Sequence, residues 1–185
     1  MEKKLNFAEK LDFEEIDLTA PEVVIQEVLN QLPAQTNDII LGKIEAYSGH
    51  VFSYNKPGLS GVAVALGTVD KHVDIQNDLG ECGQEVHKFE CYLYTPEYDK
   101  YKFRVFFAKY NVANYPVSII LEDSVARSIS GRNADYIYTC NTREELESLL
   151  CDVFNSKRLI SVMQELIRIN QAKKMEKSKL DTTEE

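Results

Sequence analysis

The chain lacks the local signatures that most readily announce an enzyme. Neither G-x-x-x-x-G-K-[ST] nor G-x-G-x-x-G occurs, so no glycine-rich loop stands ready to cradle nucleotide phosphates. The G-x-S-x-G elbow of serine hydrolases is missing too, because Ser48 has no glycine at the preceding offset. The one Glu-x-Lys is Glu2 to Lys4 at the terminus, which leaves metal-dependent nuclease chemistry without its usual strand pairing of carboxylate and lysine.

Long hydrophobic runs are also absent. No stretch approaches the roughly 20 apolar residues of a membrane helix, and "MEKKLNFAEKLDFEEID" turns acidic where a signal peptide is apolar. A soluble, cytoplasmic protein with no membrane contact is expected. Cysteine is scarce: the four copies, at 82, 91, 140 and 151, are too few and too unevenly placed for the disulfide framework of a small secreted domain. They read as free thiols, acting mainly as small buried hydrophobes.

Positive charge is in deficit. The net charge is -9, and residues 1–37 concentrate the imbalance with 3 basic and 8 acidic side chains. Long-range repulsion of phosphate makes generic nucleic-acid binding unfavourable and favours a basic protein partner.

What the chain does contain is a clear change of period. Residues 19–32 form an apolar stripe at helical spacing, with Thr19 and Glu22 set as a capping box and Pro21 in the first turn. Strand patterns follow at 38–47, 50–55, 59–69, 85–94, 101–110 and 116–122, and again at 134–140 after one short helical turn ending at Gly131. The absence of helix-length segments between the strands from 38 to 122 argues for an antiparallel meander rather than βαβ crossovers. Helix returns after Thr142, whose Glu145 completes a second capping box, and again after Ser156, as two amphipathic segments folding back over the sheet. The expected class is α+β: one domain over 1–170, an antiparallel or mixed sheet of six or seven strands, an N-terminal helix and a C-terminal helical pair. Residues 171–185 are polar, with balanced charge, and are expected to fray.

The most suggestive chemistry lies in "GECGQEVHKFECYLY". His72, Cys82, His87 and Cys91 have ligand types suited to zinc, but the intervening gaps of nine, four and three residues are not those of a tight knuckle. Strand alternation puts His87, Phe89, Cys91 and Leu93 on one face, with His87 and Cys91 about 13 Å apart at 3.3 Å per residue. That is too far for one metal, and neither a metal nor another cofactor is expected. The other face then carries Tyr92 and Tyr94, rigid amphipathic rings suited to a protein interface.

Two further groups of candidates follow. Cys140, just before a helix cap where unpaired amides favour a thiolate, is the best-placed nucleophile, with His50 or His87 as a base. In "DKYKFRVFFAKY" alternation groups Tyr101, Phe103, Val105 and Phe107 as a core stripe, leaving Lys102, Arg104 and Phe106 on the opposite face. Cations interleaved with a sheet aromatic are the equipment of a single-stranded nucleic-acid binder.

The balance falls against an enzyme. The leading expectation is a non-enzymatic factor of inhibitor, immunity or accessory type, binding another protein through an acidic, tyrosine-containing surface. A small hydrolase or transferase assembled from scattered Cys, His and carboxylate residues comes second, and the nucleic-acid binder third. Oligomeric state leaves no trace in the pattern.

Overall fold

A computed structural model of the chain describes residues 19–49, 52–54, 72–74, 86–131 and 134–181. In chain order the elements are α1 (Pro21–Leu29), the single turn α2 (Leu32–Gln35), β1 (Leu41–Ala46), β2 (Phe52–Tyr54), β3 (His72–Asp74), β4 (Val86–Thr95) and β5 (Tyr98–Asn111). Then come β6 (Val117–Leu121), α3 (Asp123–Ser130), β7 (Ile137–Cys140), α4 (Arg143–Phe154) and α5 (Lys157–Asp181).

The class is α+β. Five strands form one sheet in the order β1-β4-β5-β6-β7, antiparallel throughout, while β2 and β3 pair separately as a two-stranded ladder. The main sheet is therefore narrower than the six or seven strands read from the sequence, because β2, the described part of the strand expected at 50–55, pairs away from it. The expected strand at 59–69 lies outside the described residues.

β4 and β5 build the centre. Thr95 pairs with Tyr98, leaving a two-residue turn at Pro96 and Glu97, much tighter than the 95–100 loop expected from sequence. The register then slips between Cys91 and Tyr92: Cys91 faces Phe106 but Tyr92 faces Arg104, so Val105 is an extra residue, a β-bulge. This one insertion shifts the side-chain parity of β5. Phe103, Val105 and Phe106 all join the core, whereas Phe107 turns to the other face.

All the described helices longer than one turn pack on a single face of the sheet. α1 lies against β1 and α4, α5 crosses β4 and β5, and α3 fits beside α4 and α5. Their stripes meet Phe89, Cys91, Leu93, Phe106, Ala108, Val117, Ile119 and Leu121 in one continuous core. The buried Thr95 hydroxyl there donates to the Asn170 side-chain carbonyl, tying the middle of α5 to the end of β4. No described helix is long and apolar enough to cross a membrane.

The helix starts show how local signals compete with tertiary ones. Thr142 caps α4 as expected, accepting from the Glu145 amide at 3.3 Å, and Ser156 accepts from the Leu159 amide at 3.3 Å to start α5. At α1 the cap is Ala20, not Thr19, and Glu22 accepts instead from the Tyr110 hydroxyl of β5. Residues 171–181 are helical and continue α5, where Lys177 reaches Glu97 at 2.6 Å.

Candidate binding face

The sheet face turned away from the helices carries most of the residues singled out for binding. Register defines it in rows across the strands. Lys43 of β1, Tyr92 of β4 and Arg104 of β5 stand in one row, and Glu45, Glu90, Phe107, Ile120 and Ile137 in the next. A further row runs Lys88, Lys109, Ser118 and Thr139. Tyr94 lies beyond Tyr92 on the same side, and Lys102 beyond Arg104.

Glu45 and Glu90 stand directly opposite one another, a pairing that is unfavourable unless neutralised. The face supplies that neutralisation from its own cations. Arg104 donates to one Glu90 oxygen from Nε at 3.0 Å and from a terminal nitrogen at 2.8 Å. Glu45 is ion-paired with Lys43 and accepts from the Tyr92 hydroxyl at 2.7 Å. These bonds to Lys43, then Tyr92, hold the Glu45 carboxyl below its ordinary range.

Tyr92 is the hub of this network. Its side chain is only 4% exposed, its hydroxyl accepts from Lys102 Nζ at 3.2 Å, and the same ammonium sits 4.3 Å above the ring centroid. Burial, helped by the hydrogen bond to Glu45, pushes the Tyr92 phenol up to about 12. Tyr94 tilts against it with centroids 5.9 Å apart. Beside them a small apolar cluster of Ile120, Phe107 and Tyr47 is covered by the Arg104 guanidinium, 4.7 Å from the Phe107 centroid.

The structure corrects three expectations here. Phe106 does not share a face with Lys102 and Arg104: it is 1% exposed among helix-facing core residues, because the Val105 bulge reverses the alternation. The tyrosine-bearing face is also not acidic. Its described residues present the cations Lys43, Lys88, Lys102 and Arg104 against the carboxylates Glu45 and Glu90, with Lys109 buried at 5% exposure.

The third correction concerns Cys140, which is not an activated thiol. It is 3% exposed, and burial, followed by the nearby Glu145 carboxylate, pushes its thiol up to about 11. Glu145 also accepts from the Asn141 amide at 2.7 Å, occupying a helix-end donor that was expected to favour a thiolate. His87 stacks on Tyr110 with centroids 5.0 Å apart, while Cys140 lies three strands away, about 14 Å at 4.8 Å per strand. The two do not form a nucleophile–base pair, and His50 lies outside the described residues.

Cys91 is fully buried, and burial raises its thiol well above the ordinary range. Cys82 lies outside the described residues, and among those described no three His, Cys, Asp or Glu side chains gather as a metal-sized group. A cavity of about 390 Å³ opens on the helix side between α1, α2, α4 and α5. Its lining, which includes Leu32, Leu150, Phe154 and Met163, contains no charged residue and none of the candidates named above.

Sequence reasoning named Tyr92, Tyr94, Lys102 and Arg104 but passed over Lys43, Glu45, Lys88, Glu90 and Phe107. For β1 the signal was present, since Lys43 and Glu45 alternate with Gly42 and Ile44. For Phe107 no local signal existed, because its orientation depends on the bulge. Comparison with protein-family models, with curated proteins and with solved structures finds no match for this chain.

Proposed function

We propose that this protein is a non-enzymatic cytoplasmic binding factor, of inhibitor or accessory type, that docks another protein on the sheet face opposite its helices. The observation that carries this reading is the half-buried Tyr94 beside the exposed cations Lys43, Lys102 and Arg104, all set around the buried Tyr92, an aromatic edge within charged side chains. Protein interfaces have this anatomy, with rigid aromatic anchors inside a polar rim. The described cysteines Cys91, Cys140 and Cys151 are all free, which fits a reducing compartment.

Base stacking is the weaker use of the same face. It needs accessible ring planes, and here Lys102 lies over Tyr92 and Arg104 over both Phe107 and Tyr47. The cations would have to leave before a base could enter.

The test is site-specific photocrosslinking in the cells that make the protein, with p-benzoylphenylalanine replacing Tyr94 and, as a control, the exposed Val112. A discrete protein adduct at position 94, absent at 112 and lost when Tyr92→Ala is added, is the expected result. No protein adduct at 94, together with retention on oligothymidylate that Lys102→Glu abolishes, would overturn it.

A further inference from the structure

The geometry points to an acidic, extended segment of another protein as the occupant of this face. The inference rests on reading the face as a protein-docking surface, and it specifies what docks there.

The chain as a whole carries -9, yet among the described residues the exposed and half-buried side chains of this face set four cations, Lys43, Lys88, Lys102 and Arg104, against the two carboxylates Glu45 and Glu90. Both carboxylates are engaged from within the face, Glu45 by Lys43 and Tyr92, and Glu90 by Arg104. Two of the cations donate their hydrogen bonds to uncharged groups, and the carboxylate nearest Lys102, Glu45, is already paired with Lys43. Lys102 is exposed and donates to the neutral Tyr92 hydroxyl, and Lys88 donates to the Gly49 carbonyl at 3.2 Å. Covering such ammoniums with an apolar or basic partner costs their hydration without return, whereas an incoming carboxylate compensates it. Repulsion from the distant acidic parts of the chain is screened beyond about 8 Å at physiological ionic strength, so the local sign decides.

The spacing then selects an extended partner. Same-face residues along a strand stand about 6.6 Å apart, as do alternate residues of an extended peptide. Carboxylates at alternate positions meet Lys102 and Arg104 along β5, the Arg104 side chain being half exposed (50%), while the equally exposed Lys43 (51%) flanks the track two strands away. The intervening apolar side chains cover Tyr94 and its neighbours. Electrostatic pairing of this kind sets encounter rate and specificity, with the tyrosines supplying contact area.

Fluorescence anisotropy on the full chain tests this with three labelled probes: a dodecapeptide alternating Glu and Leu, its Lys–Leu counterpart, and a twelve-nucleotide oligothymidylate. The Glu–Leu peptide is expected to bind and to weaken as salt rises. Lys102→Glu with Arg104→Glu should reduce its affinity about tenfold or more. Lys102→Gln should reduce it less, and Lys157→Glu on α5 should leave it unchanged. Equal binding of the Lys–Leu peptide, tighter binding of the oligothymidylate, or insensitivity to the double reversal would each overturn the assignment. If a protein adduct forms at position 94 but the Glu–Leu peptide does not compete for it, the acidic occupant is wrong while the docking face stands. Loss of the adduct itself removes both.

Discussion

Truncating Phe106 separates the alternation read from sequence from the packing imposed by the bulge. If β5 alternated regularly, Phe106 would stand with Lys102 and Arg104 on the outer face, and Phe106→Ala would be nearly silent in stability. In the structure its ring is 1% exposed, opposite Cys91 on one side and Leu121 on the other, beneath the helices. Removing a fully buried phenylalanine loses its transfer free energy and leaves a cavity, together about 3–5 kcal/mol. For a chain of this size that lowers Tm by about 10 °C, at 2–4 °C per kcal/mol. The control is Phe107→Ala, whose half-buried ring lies 4.8 Å from Tyr47 and 4.7 Å from Arg104. It should cost about 1–2 kcal/mol. Urea titrations followed by far-UV circular dichroism measure both. A Phe106→Ala cost below about 1 kcal/mol, or a larger cost at Phe107, would refute the bulge and the assignment of faces that follows from it.

Two other outcomes check the site directly. Because the Tyr92 phenol is raised to about 12, the folded state keeps its proton where the unfolded chain releases it near pH 10. Its stabilising contribution is therefore complete below pH 10 and is lost as pH rises from about 10 to 12. Tyr92→Phe should flatten the fall in stability across that window, and tyrosinate absorbance should show one fewer late-titrating group; an unchanged slope would contradict the network around Glu45. Cys91→Ala should cost about 1 kcal/mol through lost packing, with Tm indifferent to zinc and to chelator in both proteins. Stoichiometric zinc in the purified wild type, lost in the variant, would contradict this.

Several elements were legible in the chain because their causes are local. The caps at Thr142 and Ser156 lie within three residues of the amides they bind, so no distant group needs to be known. The strand from Val86 to Thr95 shows its two faces by simple alternation, which placed His87, Phe89, Cys91 and Leu93 together and Tyr92 with Tyr94 opposite. The capping box at Thr19 did not form because α1 starts one residue later, with Ala20 as its cap, and Glu22 instead accepts from Tyr110, 88 residues away in sequence. A polar composition from 171 onward said nothing against helix once α5 had been nucleated and anchored upstream by the buried contact between Asn170 and Thr95.

The sequence by itself determined the α+β class, the antiparallel character of the sheet and the apolar faces of β4 and of the helices, since each follows from short-range periodicity and turn chemistry. Tertiary structure alone decided what the outer face presents. An extra residue in β5, tolerated because Cys91 and Tyr92 take separate partners across it, moved Phe106 inward and Phe107 outward. Cross-strand register then gathered Lys43, Arg104 and Lys102 around Tyr92, giving a chain of net charge -9 a face on which the described cations outnumber the carboxylates. Net charge is a sum over the whole chain, whereas the charge a partner meets depends on which side chains the register brings together.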